Sequence, residues 1–152
     1  FGNIVSEAIA GRKLIRSIAY VVRTESKEEQ PFFEALYNLG IETREKDLQV
    51  YNSGFKKADW DVGLAVDAIR FAPSLDAIMI VSGDGDYLPL VEYLQSMGKQ
   101  VEVLAFGETS SSKLIDLADD FINLSEDKDK FLIGTRAPAR KPGGMIKRKL
   151  RK

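Results

Sequence analysis

The sequence predicts an α/β domain in which helices cover both faces of a mostly parallel β-sheet. Apolar, β-rich segments alternate along the chain with segments of helical periodicity, which is the pattern of repeated strand–helix–strand units. The strand-like segments are nearly uninterrupted, as in residues 76–82 (DAIMIVS), and such runs are typical of strands buried on both faces. The 152 residues are the length of one domain.

The first half of the chain alternates helices and strands. Pro31 suits a first helical turn, where its missing N–H is not needed, and Gly40 can end that helix in a left-handed conformation. The predicted elements are a helix over 3–10 ending near Gly11, a strand over 14–22, a loop over 23–29, a helix from Pro31 to Gly40 with Phe32, Phe33, Leu36 and Leu39 on one face, a short or edge strand within 41–51, a turn at 52–54 and a helix over 59–71.

The second half continues the pattern. Pro73 and Gly98 each follow a helical segment and end it. The predicted elements are a strand over 76–82, a helix from about Asp86 to Met97, a strand over 100–105, a helix over 112–118 and a short strand over 121–124. From Ser125 on, charged residues, Pro and Gly dominate. We therefore predict a domain over 1–125, followed over 126–152 by a charged linker and basic tail that are disordered.

Composition excludes several kinds of catalyst. The chain has no His and no Cys, so disulfides, thiolate metal sites and imidazole bases are absent. Catalysis must use carboxylates, hydroxyls, Lys or a bound hard cation. No apolar run approaches the ~20 residues that cross a bilayer, and no signal-peptide pattern is present, so we expect a cytoplasmic protein without a membrane partner. The first residue is Phe rather than Met, and we expect a longer natural chain.

The net charge of −1 is unevenly distributed. Residues 135–152 hold eight bases and no acid, so residues 1–134 carry 14 bases and 23 acids, a net charge of −9. A basic arm of this kind can attract a polyanion such as RNA. The alternative is that it is a solvated end.

Two carboxylates follow the clearest strand, in the segment Gly83-Asp84-Gly85-Asp86. Ligands of open α/β sheets bind beyond the carboxyl ends of the strands. At ~4 Å and an effective dielectric near 20 the two charges repel by about 4 kcal/mol, and a cation would reverse this. Alternatively, Asp84 is a turn residue and Asp86 caps the next helix.

A third acid lies at the start of the helix over 59–71. At 100° per residue, one side of this helix is apolar and predicted to be buried; its members are Val62, Ala65, Val66 and Ile69. Asp61 lies at the border of that side, Asp59 is a candidate N-cap, and Asp67 points to solvent. Asp61, Asp84 and Asp86 together fit an oxygen-liganded Mg²⁺ or Mn²⁺, which could polarise a phosphoryl oxygen and activate a water.

Bases and aromatic residues are interleaved just before that helix, at Phe55, Lys56, Lys57 and Trp60. Such a segment could hold a nucleic-acid backbone and stack a base. The alternative is a loop whose rings fold back on the core.

Three segments resemble a known family: residues 57–69 (KADWDVGLAVDAI), 80–91 (IVSGDGDYLPLV) and 98–103 (GKQVEV), with a similar close over 114–124. They are similar to the NYN domain of the PIN-like nuclease superfamily, in its LabA-like branch. The resemblance implies a Rossmann-like, three-layer fold and a metal-dependent ribonuclease site. Its helix acid corresponds to Asp61 and its Ser-Gly-Asp-x-Asp segment to Ser82, Asp84 and Asp86.

The chain departs from that family in one respect. Members open with a strand that carries Asp followed shortly by Asn, and nothing before Leu14 matches it. In that family the opening strand is central in the sheet. We therefore expect the first strand of this domain to be missing from this sequence and to lie in a segment upstream of it.

Three functions therefore compete. The first is a ribonuclease that uses Mg²⁺ or Mn²⁺ at Asp61, Asp84 and Asp86, with Ser82, Lys56, Lys57 and Trp60 binding RNA. The second is a non-catalytic regulator that binds RNA or protein. The third is a phosphatase of the haloacid dehalogenase type, because residues 83–86 are similar to the metal loop of that family. That family also requires an Asp-x-Asp pair directly after an upstream strand, and none of the strands predicted before residue 76 is followed by one. The sequence leaves the oligomeric state open, a homo-oligomer included.

Overall fold

The computed structural model describes residues 1–24, 29–50, 56–57 and 59–132. The strands are β1 (Ile18–Arg23), β2 (Glu42–Asp47), β3 (Gln49–Val50), β4 (Lys56–Lys57), β5 (Ala77–Ile80), β6 (Gln100–Ala105) and β7 (Asp120–Asn123). The helices are α1 (Gly2–Ile9), α2 (Gln30–Asn38), α3 (Asp61–Phe71), α4 (Leu88–Ser96), α5 (Ser112–Leu117) and α6 (Lys128–Phe131). The chain divides into two units, Phe1–Val66 and Asp67–Lys152, and the continuous helix α3 belongs to both.

The first unit contains a parallel pair of strands. β1 and β2 run side by side, from Ile18 opposite Glu42 to Arg23 opposite Asp47, and β3 and β4 form a short antiparallel pair. The strand predicted over 14–22 begins only at Ile18, because β2 offers no ladder partner before Glu42. Leu14 and Ile15 are accordingly exposed.

The second unit contains a three-stranded parallel sheet in the order β5-β6-β7. Its central strand β6 is buried from Val101 to Ala105, and α4 contributes the buried side chains Leu90, Val91 and Leu94. The predicted α/β class with parallel strands is confirmed. Among the described residues, the parallel strands form two sheets rather than one, and β3 and β4 form a third, antiparallel sheet.

The apolar side of α3 differs from the prediction. Val62 is 73% exposed and Val66 is 56% exposed, and none of the residues of α3 is buried. The predicted burial of this side is therefore wrong, because helical periodicity places apolar residues on one side but does not provide a neighbour to cover it. The helix also begins at Asp61, so Trp60 rather than Asp59 directly precedes it.

Ordered structure continues past residue 125. Residues Leu124–Asp127 form a 3₁₀ turn that leads into α6, and Phe131 is buried. Part of the predicted linker over 126–152 is thus packed within the second unit. The predicted turn at 52–54 and the residues from 133 on lie outside the described part of the chain. Among the described helices, we find none with the length and apolar character needed to span a membrane.

Candidate metal centre

The loop that follows β5 presents two exposed carboxylates. The Asp86 backbone N–H donates to Asp84 Oδ1 at 3.0 Å, and the Asp84 N–H donates to Ser82 Oγ at 3.2 Å. These bonds fold Gly85–Tyr87 into a 3₁₀ turn capped by Asp84. Asp84 is therefore a turn residue, as the alternative interpretation of the sequence expected. That interpretation also expected Asp86 to cap the next helix, but Asp86 lies within the turn and does not cap that helix. A cap that uses one oxygen leaves the other carboxylate oxygen of Asp84 for a ligand.

The packing of this loop excludes a side chain at Gly83 and leaves little room for one at Gly85. A Cβ on Gly83 would lie 2.3 Å from Ser110 Oγ and 2.9 Å from Ser110 Cα, and a Cβ on Gly85 would lie 3.0 Å from Ser111 Oγ. The Ser111 N–H also donates to the Gly83 carbonyl oxygen at 2.9 Å. Sequence reasoning missed this contact. Its available signal was the serine run beyond the carboxyl end of the neighbouring strand β6.

The segment that supports the loop is itself anchored. The Gly107 N–H donates to Asn123 Oδ1 at 2.9 Å, and Glu108 accepts hydrogen bonds from Lys128 and Ser125. These bonds, that from Lys128 foremost, lower the pKa of Glu108 to about 2. The acidic loop therefore rests on a segment held from β7 and α6.

Asp61 completes a group of three acids. It is the first residue of α3 and is half-buried. One carboxylate oxygen from each of Asp61, Asp84 and Asp86 lies within 4.8 Å of the other two. Oxygen ligands on opposite sides of Mg²⁺ are about 4.2 Å apart, twice the metal–oxygen distance. Small side-chain rotations would therefore bring the three oxygens around one ion, and the all-oxygen donor set fits Mg²⁺ or Mn²⁺.

The predicted RNA-binding residues lie in different settings. The Trp60 indole N–H donates to the Val21 carbonyl oxygen at 2.9 Å, and its ring lies 5.5 Å from that of Tyr20 and 5.6 Å from Lys46 Nζ. Trp60 thus anchors the start of α3 to β1, and its stacking on a base stays a prediction. Ser82 lies in the acidic loop. Lys56 and Lys57 form β4, and their side chains lie outside the described part of the structure.

The chain is similar to several known proteins. The family model of the NYN domain matches residues 1–125. Low amplitude and bright protein LabA from Synechococcus elongatus is 24% identical over 132 residues, which are 83% of this chain and 70% of that protein. An uncharacterised protein from Methanocaldococcus jannaschii is 36% identical over 84 residues, which are 51% of this chain and 35% of that protein. The chain thus spans about a third of this second relative.

A solved structure has the same fold. The crystal structure of a protein of unknown function from Vibrio parahaemolyticus superimposes with a TM-score of 0.72 at 33% sequence identity. The match covers 81% of this chain and 77% of that one.

Proposed function

The chain belongs to the NYN domain family, in its LabA-like branch, and from that membership we propose that it is a metal-dependent nuclease that hydrolyses RNA. The observation that carries this proposal is the group formed by Asp61, Asp84 and Asp86. NYN domains generally act on nucleic acid. RNA as the substrate, the metal dependence and the expected cytoplasmic location all belong to the proposal.

The three aspartates would hold Mg²⁺ or Mn²⁺. When bound, such an ion supplies polarisation of a phosphoryl oxygen and a more acidic water. The protein supplies orientation. Asp84 is fixed by the N–H of Asp86, and the packing of Gly83 against Ser110 sets the direction of the loop. Since the chain has no His, its carboxylates are the side chains suited to accept a proton from water near neutral pH.

Cleavage of a labelled single-stranded RNA tests the proposal. The full chain should cleave RNA with Mg²⁺ or Mn²⁺ and not in EDTA, and Asp84→Asn should abolish cleavage. Asp76→Asn is the matched control, because Asp76 is an exposed acid just before the amino end of β5, whereas Asp84 follows its carboxyl end. Cleavage that persists in EDTA or in Asp84→Asn would contradict the proposal. RNA binding without cleavage would instead support the non-catalytic regulator.

A further inference from the structure

A cleft in the first unit has no role in the site described above. It has a volume of about 430 Å³ and lies between one side of α2 and the strands β1 and β2. Its lining combines two aromatic rings with polar groups, and the residues that matter here are Arg23, Gln30, Phe33, Tyr37, Thr43 and Glu45.

Tyr37 is the most unusual of these residues. It is 82% exposed, so its ring contributes little to the core. A single exposed apolar residue is ordinary, but this ring forms the wall of a cavity that also contains Phe33. The guanidinium of Arg23 lies 5.9 Å from the centroid of the Phe33 ring, so it covers part of one face of that ring. The Tyr37 face therefore remains the stacking surface of the cleft.

The rim of the cleft carries both hydrogen-bond donors and acceptors. Arg23 pairs with Glu45 at 3.1 Å, and Thr43 Oγ1 donates to Glu45 Oε1, also at 3.1 Å. An apolar side chain inserted here would remove water from this ion pair without replacing its hydrogen bonds, which is unfavourable. A planar heterocycle with polar edges can stack on the tyrosine and hydrogen-bond to the rim. This chemistry is that of a nucleobase.

The cleft opens on the α2 face of the β1–β2 pair. Its residues Arg23, Thr43 and Glu45 alternate along the strands with Tyr20 and Lys46, which contact Trp60 on the opposite face. Trp60, which directly precedes Asp61, bonds to the carbonyl oxygen of Val21 in β1. Arg23 lies two residues further along the same strand, at its carboxyl end, ~7 Å away. The cleft and the start of α3 therefore use opposite faces of the β1–β2 pair.

We propose that this cleft binds one base of a single-stranded RNA by stacking it on Tyr37. The proposal rests on the proposed function, because it takes its ligand from there. It assigns to Tyr37 the role of substrate binding away from the reacting bond. Such contacts act equally in the ground state and the transition state, so they affect KM rather than kcat.

Two measurements test the proposal. The first is the affinity of a fluorescently labelled oligoadenylate in EDTA, by anisotropy. Tyr37→Ala should weaken binding by about fivefold or more, the lower end of the stacking contribution of one base, whereas Tyr37→Phe should bind like wild type. Tyr93→Ala is the matched control, since Tyr93 is an exposed tyrosine on α4 of the other unit. The second is cleavage in Mg²⁺, in which Tyr37→Ala should raise KM by a similar factor at unchanged kcat.

The two proposals fail in distinguishable ways. If the wild type did not cleave RNA, the proposed nuclease activity would be contradicted. The affinity measurement in EDTA would still test whether the cleft binds a base. Equal affinities of wild type and Tyr37→Ala, equal losses in Tyr37→Ala and Tyr93→Ala, or no binding by the wild type would each overturn the cleft proposal. So would binding of an apolar peptide in preference to the oligoadenylate.

Discussion

The two units use the same kind of parallel strand pairing but bury it very differently. In the second unit, β6 is buried along five consecutive residues, Val101 to Ala105. In the first unit, β1 is only half-buried and β2 becomes exposed toward Asp47. β6 has a strand on each side, whereas among the described residues β1 pairs with β2 alone. The difference shows that an apolar run predicts a strand, while its burial depends on the neighbours that cover it.

This contrast bears on the metal centre. Asp84 and Asp86 follow β5 of the well-packed sheet, and their loop is held against Ser110 and Ser111. Their positions are therefore fixed by tightly packed structure. Asp61 depends instead on the start of α3, which Trp60 anchors to the less buried β1.

The largest expected effect comes from the core of the second unit. Leu104 is fully buried in β6, whereas Leu39 of the first unit is 41% exposed. Leu104→Ala should lower the free energy of unfolding by about 2–5 kcal/mol, since it removes buried methyl groups and leaves a cavity. Leu39→Ala should cost under about 1 kcal/mol, because little surface is uncovered. Urea unfolding of both variants measures the difference, and equal losses would contradict the contrast between the units.

A smaller effect is expected at the acidic loop. Gly83→Ala should lower the free energy of unfolding by about 1–3 kcal/mol, because the new methyl group would overlap the Ser110 backbone and force it to shift. The shift should also weaken Mn²⁺ binding. Gly98→Ala is the control for general glycine effects: its φ of 76° strains an alanine, but its Cβ would meet nothing within 4 Å. If Gly83→Ala bound Mn²⁺ like wild type, this packing would not position the acids.

The smallest expected effect concerns acid stability. Three described carboxylates have a lowered pKa: Glu29 mainly through its hydrogen bond from the Thr24 side chain, Glu42 mainly through that from Arg16, and Glu108 mainly through that from Lys128, to about 2. A lowered pKa stabilises the fold above the ordinary value of 4.5, and this contribution is lost as the pH falls toward about 2. Glu108→Gln should therefore lose less stability than wild type on acidification. The measurement is the unfolding temperature as a function of pH. Glu126→Gln, a change at the exposed acid next to Ser125 in the sequence, is the control and should behave like wild type. If the curves of wild type and both variants coincide, the Glu108 contacts do not stabilise the protein.

The sequence was most informative where local pattern and packing agree. β6 has its predicted bounds, and β5 and α4 each lie within the predicted segment. These elements could be predicted because an apolar run indicates a strand, and Gly98 ends a helix, through residues that are neighbours in the sequence. The grouping of Asp61 with Asp84 and Asp86 was also predicted, from helix spacing and the carboxyl end of β5.

Contacts between distant segments could not be predicted in this way. The packing of Ser110 on Gly83 joins residues that the sequence separates by a helix and a strand. The anchoring of Trp60 on Val21 is likewise a long-range hydrogen bond. The exposure of Val62 depends on what covers α3, which periodicity does not encode.

The most direct test of the central claim is the change in thermal stability that Mn²⁺ produces in wild type and in three single variants. Mn²⁺ should raise the unfolding temperature of wild type and of the control Asp76→Asn, since an ion that binds only the folded state stabilises it. In Asp61→Asn, Asp84→Asn and Asp86→Asn the increase should be lost. The metal-free Asp84→Asn and Asp86→Asn proteins should be as stable as wild type or more stable, because one charge of a crowded group is removed. A full Mn²⁺-induced increase in any of these three variants would contradict the account of one cation held by three aspartates.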